Sequence, residues 1–116
     1  MSSTLTSPEA KFLEQLAKNS QSWLESATDA LEGRGNVEEW SDCPEAWKSL
    51  VAALPSGEAR AAFKLVLQEL LSGVSHSFLA TLDGTTSLAE SVQLEVCAQD
   101  SIPFKRFLHE FWPQQQ

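Results

Sequence analysis

"GEARAAFKLVLQELLSGVSHSFLATL", residues 57–82, is the stretch of sequence that decides the fold. Its apolar residues recur every three or four positions, which is the spacing of one face of an α-helix. Ser56 precedes the stretch and Gly84 follows it, and both residue types are common at helix ends. Few polar residues interrupt the pattern, so we expect a central apolar helix over 57–82 with the other helices packed around it.

Three more helices are predicted on either side of this segment. Residues 8–32 follow helical spacing and end at a pair of glycines, and another helix runs from about Asp42 to the proline at position 55. The last helix is predicted to begin at Pro103. The fold class is therefore mainly α, a compact bundle of about four helices in a single domain, 1–116, with residues 1–7 and 113–116 flexible.

One segment departs from the helical pattern. Residues 92–98, "VQLEVCA", alternate apolar and polar side chains, as a strand does. A strand needs a hydrogen-bonding partner, and residues 36–40, "NVEEW", are the favoured partner in a small two-stranded β ribbon. Two other arrangements also fit the pattern: strand 92–98 pairs with its own copy across a homodimer axis, or residues 92–99 form coil.

The charge balance narrows the classes of partner. Eight Lys and Arg residues stand against sixteen Asp and Glu residues, for a net charge of -8. Nucleic acids and anionic membranes attract basic surfaces, so neither is expected as a partner. The chain shows no secretory signal, and no apolar run approaches the length of a membrane span. We therefore expect a cytoplasmic protein whose electrostatic partner is basic.

Recognisable catalytic motifs are missing from the sequence. It contains no nucleophile elbow, no P-loop and no dinucleotide-binding glycine motif. His76 and His109 are the only histidines, and neither belongs to a metal-binding motif. We therefore predict no catalytic residue, no metal site and no cofactor. The alternative is a small enzyme or ligand-binding helical domain with a pocket near His76, Asp83 and His109.

Residues 25–47 concentrate negative charge. Between Glu25 and Glu45 the sequence holds seven acidic residues and one basic residue, Arg34. Like charges on one face cost stability, so this region is either a solvated surface or a binding surface for a basic partner. The second interpretation predicts an aromatic anchor with a rim of carboxylates. Its members are Glu25, Asp29, Glu32, Glu38, Glu39, Trp40, Asp42 and Trp47.

In size and acidity the chain is similar to toxin-neutralising immunity proteins, whose carboxylates face a cationic nuclease surface. The resemblance covers charge and size but no sequence motif. It implies a non-enzymatic protein–protein interaction domain, of inhibitor or immunity type, that holds a basic protein partner through residues 25–47. We expect a monomer in preference to a homodimer through strand 92–98.

Overall fold

The computed structural model shows a mainly α-helical bundle with one small antiparallel sheet, as the sequence predicts. The structure describes residues 5–99, 102–105 and 107–115. The helices are α1 (Ser7–Leu31), α2 (Val37–Trp40), α3 (Pro44–Ala53), α4 (Gly57–Leu82) and α5 (Leu108–Phe111), the strands are β1 (Cys97–Ala98) and β2 (Ile102–Pro103), and 3-10 turns cover Ser87–Glu90 and Trp112–Gln115. Helix α4 has the predicted bounds.

The predicted flexible ends fall only partly on the described residues. Residues 1–4 and 116 lie outside the part of the chain that the structure describes. Ser7 is the first residue of α1, and residues 113–115 belong to a 3-10 turn. Regular structure therefore begins at Ser7, and the described residues 5 and 6 lie outside it.

The chain forms two compact units. The end unit consists of Met1–Asn19 and Ser72–Gln116, and the middle unit consists of Ser20–Leu71. Helices α1 and α4 each contribute residues to both units. The prediction of a single domain over 1–116 stays a prediction.

The end unit is built around a buried apolar cluster. Leu13, Leu79, Leu108 and Trp112 are almost completely shielded from solvent and contact one another. The indole nitrogen of Trp112 donates to the carbonyl oxygen of Ser72 at 3.1 Å and to its hydroxyl at 3.2 Å. A buried indole N–H without an acceptor costs free energy, so these two bonds fix the orientation of the ring.

A buried carboxylate joins the start of α1 to the chain after β2. Glu9 Oε1 accepts hydrogen bonds from the backbone N–H and the hydroxyl of Thr6, both at 2.8 Å. Its other oxygen, Oε2, accepts from the backbone N–H of Lys105 at 2.7 Å. Thr6 and Glu9 therefore form a capping box, with Thr6 at the position that precedes the helix.

Helix α4 exposes more apolar surface than its sequence predicts. Only Ser75, Leu79 and Ala80 of this helix are buried among the described residues. In the middle unit Leu65 is 67% exposed, and in the end unit Val74 is 70% exposed. Few of the described residues pack against α4, so a large part of its apolar side is left exposed.

Helix α4, together with the turn that follows it, is also long and apolar enough to cross a membrane. This segment, Gly57–Glu90, meets the length and composition of a membrane-spanning helix, and 17% of its most apolar 18-residue stretch is buried. The long helix of a water-soluble bundle can have the same length and composition. The sequence has no uninterrupted apolar run of that length, whereas the average hydropathy over an 18-residue window within this segment reaches the level of a membrane span.

The predicted ribbon exists, but its strands differ from those expected. Cys97 pairs with Pro103 and Ala98 pairs with Ile102, so 92–98 does not pair with 36–40. Residues 37–40 form α2, and the described segment 92–96 has no regular structure, as the coil alternative predicts. Closing a short hairpin costs less chain entropy than joining segments some fifty residues apart, and this favours the local pairing.

The last helix starts later than predicted. Pro103 belongs to β2, and α5 begins at Leu108. The backbone N–H of His109 donates to Asp83 Oδ2 at 2.9 Å. Amide groups in the first turn of a helix have no acceptor within that helix, so this carboxylate stabilises the start of α5 at Leu108.

Candidate functional site

The loop between α1 and α2 positions the first tryptophan of the candidate site. Gly33 and Gly35 have φ angles of 75° and 74°, in the left-handed region where a side chain is disfavoured. Asn36 Oδ1 then accepts the backbone N–H of Glu38 at 3.0 Å and caps α2. Helix α2 therefore begins directly after the glycine turn and carries Trp40 at its end.

Three tryptophans of the middle unit form a row. The ring centroids of Trp23 and Trp40 lie 6.1 Å apart with an interplanar angle of 74°. The centroids of Trp40 and Trp47 lie 5.5 Å apart with an interplanar angle of 66°. Both pairs have the edge-to-face geometry that is favourable for aromatic rings. Trp40 is therefore the middle ring, held from both sides, whereas Trp23 is 58% exposed.

The row lines an open groove of about 340 Å³, which we call the tryptophan groove. Its walls are mostly apolar. They consist of Trp23, Ala27, Trp40, Ser41, Asp42, Cys43, Trp47, Leu67 and Leu71. Asp42 is the one Asp or Glu residue in this lining, and its carboxylate makes no hydrogen bond or ion pair with any residue that the structure describes.

The structure brings together only part of the predicted binding set. Trp40, Asp42 and Trp47 share the groove, and Glu39 precedes Trp40 on α2. Along α1, by contrast, successive residues turn by about 100°, so Glu25 lies about 200° around the helix from Trp23. Asp29 and Glu32 are also turned well away from Trp23. The carboxylates of α1 and the groove therefore occupy different faces of that helix.

Several of the predicted carboxylates already have cationic partners. Arg34 Nη2 lies 3.1 Å from Asp29 Oδ1. Lys48 Nζ lies 2.8 Å from Glu38 Oε1 and 3.3 Å from Glu45 Oε1. The hydrogen bond from Lys48, followed by its charge, lowers the pKa of Glu38 below its ordinary value. Hydrogen bonds to Glu38 and then Glu45 raise the pKa of Lys48.

Replacing Lys48 with methionine is expected to raise the pKa of Glu38 toward the ordinary glutamate value. Because the pair lowers the pKa in the folded state, its small stabilising contribution is present at neutral pH and is lost as the pH falls through that folded value. A carboxyl NMR titration of Glu38 in both proteins measures the change. Lys18→Met, which removes the partner of Glu14, is the matched control. An unchanged Glu38 titration would contradict the assigned pairing.

Two basic residues of the middle unit line a different cavity. Arg34 and Lys48 border a second space of about 340 Å³, which also includes Gly33, Gly35 and Trp47. Among the described residues, the lining of the tryptophan groove contains no basic side chain. Its local charge is therefore set by Asp42 and the neighbouring acids.

A second cluster, the histidine cluster, lies in the end unit. His109 Nδ1 is 2.7 Å from Asp83 Oδ2, and both side chains are largely buried. The rings of His76 and His109 meet edge to face, with centroids 5.4 Å apart. The three residues of the predicted alternative pocket are thus close together. The nearby cavity, of about 120 Å³, includes Asp83 in its lining along with Glu95, Lys105 and Phe107.

Sequence patterns did not identify the four groove residues on α1 and α4. Trp23 and Ala27 are four positions apart on α1, and Leu67 and Leu71 have the same spacing on α4. Each pair looks like an ordinary buried stripe of a helix. The exposure of Trp23 and the meeting of both stripes at Trp40 are tertiary features, which no local signal reports.

The tryptophan groove and the histidine cluster are the two candidate sites of this chain. No group of three or more His, Cys, Asp or Glu side chains within the described ranges is arranged to hold a metal ion. Comparison with protein-family models, with curated proteins and with solved structures gives no match to this chain.

Proposed function

We propose that this chain is a non-enzymatic binding protein of inhibitor or immunity type that holds a basic protein partner. The observation that carries the proposal is the tryptophan groove, an open apolar groove with three tryptophans and with Asp42, whose carboxylate has no partner among the described residues. Exposed apolar surface of this kind is typical of interaction sites, and tryptophan is among the commonest anchors in them.

The charge of the chain supports a basic partner. With a net charge of -8, the protein attracts cationic surfaces at long range and accelerates their association. Glu39 and Asp42 are the acids best placed to act near the groove, since Glu38 and Asp29 already pair with Lys48 and Arg34. The same charge opposes self-association, and we propose a monomer in the cytoplasm.

Truncating Trp40 to alanine is expected to weaken partner binding by about 2 kcal/mol or more, because it removes from the groove the ring that contacts both of the other tryptophans. The partner is first isolated on the immobilised protein, and its affinity is then measured by calorimetry. Trp23→Ala, at a more exposed ring, tests the same groove with less risk to folding. Phe107→Ala is the matched control, since Phe107 is an exposed aromatic side chain of the end unit.

In the same experiment, charge reversal separates the long-range electrostatic attraction of the partner from the contacts that Trp40 makes in the complex. Glu39→Lys together with Asp42→Lys is expected to slow association and to reduce its dependence on salt. Glu90→Lys together with Glu95→Lys, at two exposed acids of the end unit, makes the same charge change and should have a smaller effect. Equal affinities for wild type, Trp40→Ala and the protein reversed at Glu39 and Asp42 would overturn the proposed function.

A second candidate function rests on the histidine cluster. The short contact between His109 and Asp83 orients the imidazole, and the exposed His76 ring lies beside it. Such an arrangement suits a proton-transferring or ligand-binding pocket of a small helical enzyme. A ligand whose binding is lost in His109→Ala but kept in Trp40→Ala would favour this candidate over the first.

A further inference from the structure

We infer that the tryptophan groove receives an arginine side chain of the partner, with the guanidinium group against the tryptophan rings and paired with Asp42. The inference rests on the proposed function and names the chemical group that the groove recognises. It follows from the size of the groove, from the nature of its walls and from the carboxylate of Asp42, which no described residue engages.

The groove is the right length for one long side chain. Its α1 wall is Trp23 and Ala27, and its α4 wall is Leu67 and Leu71. Residues four positions apart on a helix are separated by about 6 Å along its axis. Each wall therefore spans about one helical turn, which is too short to seat a whole helix but long enough for an extended side chain.

The walls and the edge of the groove suit different parts of an arginine. Ala27, Leu67 and Leu71 offer apolar surface to the methylene stem. Tryptophan rings attract cations more strongly than other aromatic side chains do, and the flat guanidinium group stacks on them. The carboxylate of Asp42 matches the paired donors of that group in geometry.

Two other occupants fit less well. A purely apolar anchor would remove water from the Asp42 carboxylate without supplying a donor, which is unfavourable. A second copy of this chain would bring one acidic surface against another, since each copy carries a net charge of -8. A cationic side chain with an apolar stem satisfies both the walls and the carboxylate.

Short peptides that differ at one position test the inference on the full chain. Three peptides share a sequence of glycine, serine and lysine and differ only at the central position, which is arginine, citrulline or leucine. Citrulline keeps the shape of arginine and removes its charge. Binding is followed through the indole N–H signals of the four tryptophans by NMR, with dissociation constants from the titration.

The arginine peptide is expected to shift the indole signals of Trp23, Trp40 and Trp47. The signal of Trp112 should stay in place, because that indole is buried and bonded to Ser72 in the end unit. Citrulline should weaken binding at least tenfold. In Asp42→Asn the difference between arginine and citrulline should fall to less than threefold, whereas Glu90→Gln should preserve it.

The experiments distinguish failure of the arginine inference from failure of the proposed function. Leucine binding as tightly as arginine at the same three indoles would overturn the inference and leave the proposed function intact. An undiminished preference for arginine in Asp42→Asn would also overturn it. If a native partner is held through Trp40 but no peptide shifts the three indoles, the arginine inference fails alone. If the native partner is insensitive to Trp40→Ala, the proposed function fails as well.

Discussion

Leu79→Ala is expected to lower the free energy of unfolding by about 2–5 kcal/mol, whereas Leu65→Ala should change it by less than about 0.5 kcal/mol. The two substitutions remove the same atoms from the same helix. Leu79 is 0% exposed and packs with Leu13, Leu108 and Trp112, whereas Leu65 is 67% exposed. The cost at Leu79 therefore combines lost burial with a cavity that neighbouring side chains fill incompletely.

Urea denaturation followed by circular dichroism measures both variants. The transition midpoint should fall for Leu79→Ala and stay near that of wild type for Leu65→Ala, with similar slopes. A large loss at Leu65 would mean that the exposed apolar side of α4 is covered in solution, for example by a second copy. A loss below about 0.5 kcal/mol at Leu79 would contradict the buried cluster of the end unit.

Glu9→Gln is the second substitution with a large expected effect, a loss of about 2–4 kcal/mol. Glu9 is 0% exposed, and its carboxylate accepts three hydrogen bonds from Thr6 and Lys105. Hydrogen bonds to a charged group contribute about 1.5–3 kcal/mol each. Glutamine has nearly the same shape but turns an N–H₂ group toward donors, so a part of the network is lost and a buried N–H is left without an acceptor.

Glu14→Gln is the matched control, because Glu14 lies on the same helix and is exposed in its pair with Lys18. It should change the free energy of unfolding by less than about 0.5 kcal/mol. Hydrogen exchange of the Lys105 amide reports the local effect, since this amide should exchange faster in Glu9→Gln. Equal stability of the two variants would show that the carboxylate of Glu9 is dispensable.

The helical part of the fold was predictable because its signals are local. The bounds of α4 follow from apolar spacing between Ser56 and Gly84, and Ser56 indeed accepts the backbone N–H of Ala59 at 3.1 Å. The end of α1 follows from Gly33, whose left-handed φ angle allows the chain to leave the helix. The apolar period, the capping residues and the helix-breaking residues together determine the bounds of these helices.

The ribbon and the last helix depend on contacts that local patterns do not report. Residues 36–40 have few apolar side chains and look extended, yet the Asn36 side chain caps them as α2. The start of α5 depends on Asp83, which is distant in the sequence. The predicted strand reduces to Cys97–Ala98, because only the part next to Ile102–Pro103 finds a partner.

The candidate site was predictable in composition and less so in shape. Trp40, Trp47 and Asp42 were expected in one surface, and all three line the groove. Charge counting placed Glu25 in the same surface, but helix geometry turns it away from Trp23. Composition counts charges along the chain, whereas a binding surface depends on the direction in which each side chain points.

The end unit joins the first and last parts of the chain, and this determines the order in which the nascent polypeptide can fold on the ribosome. Leu108 and Trp112, which complete the cluster of Leu13, are translated 95 and 99 residues after it. At about 5–20 residues per second, roughly 5–20 s separate the synthesis of Leu13 from that of Trp112. The middle unit is contiguous and can assemble first. During that interval the start of α1 therefore stays accessible to chaperones that bind emerging apolar segments.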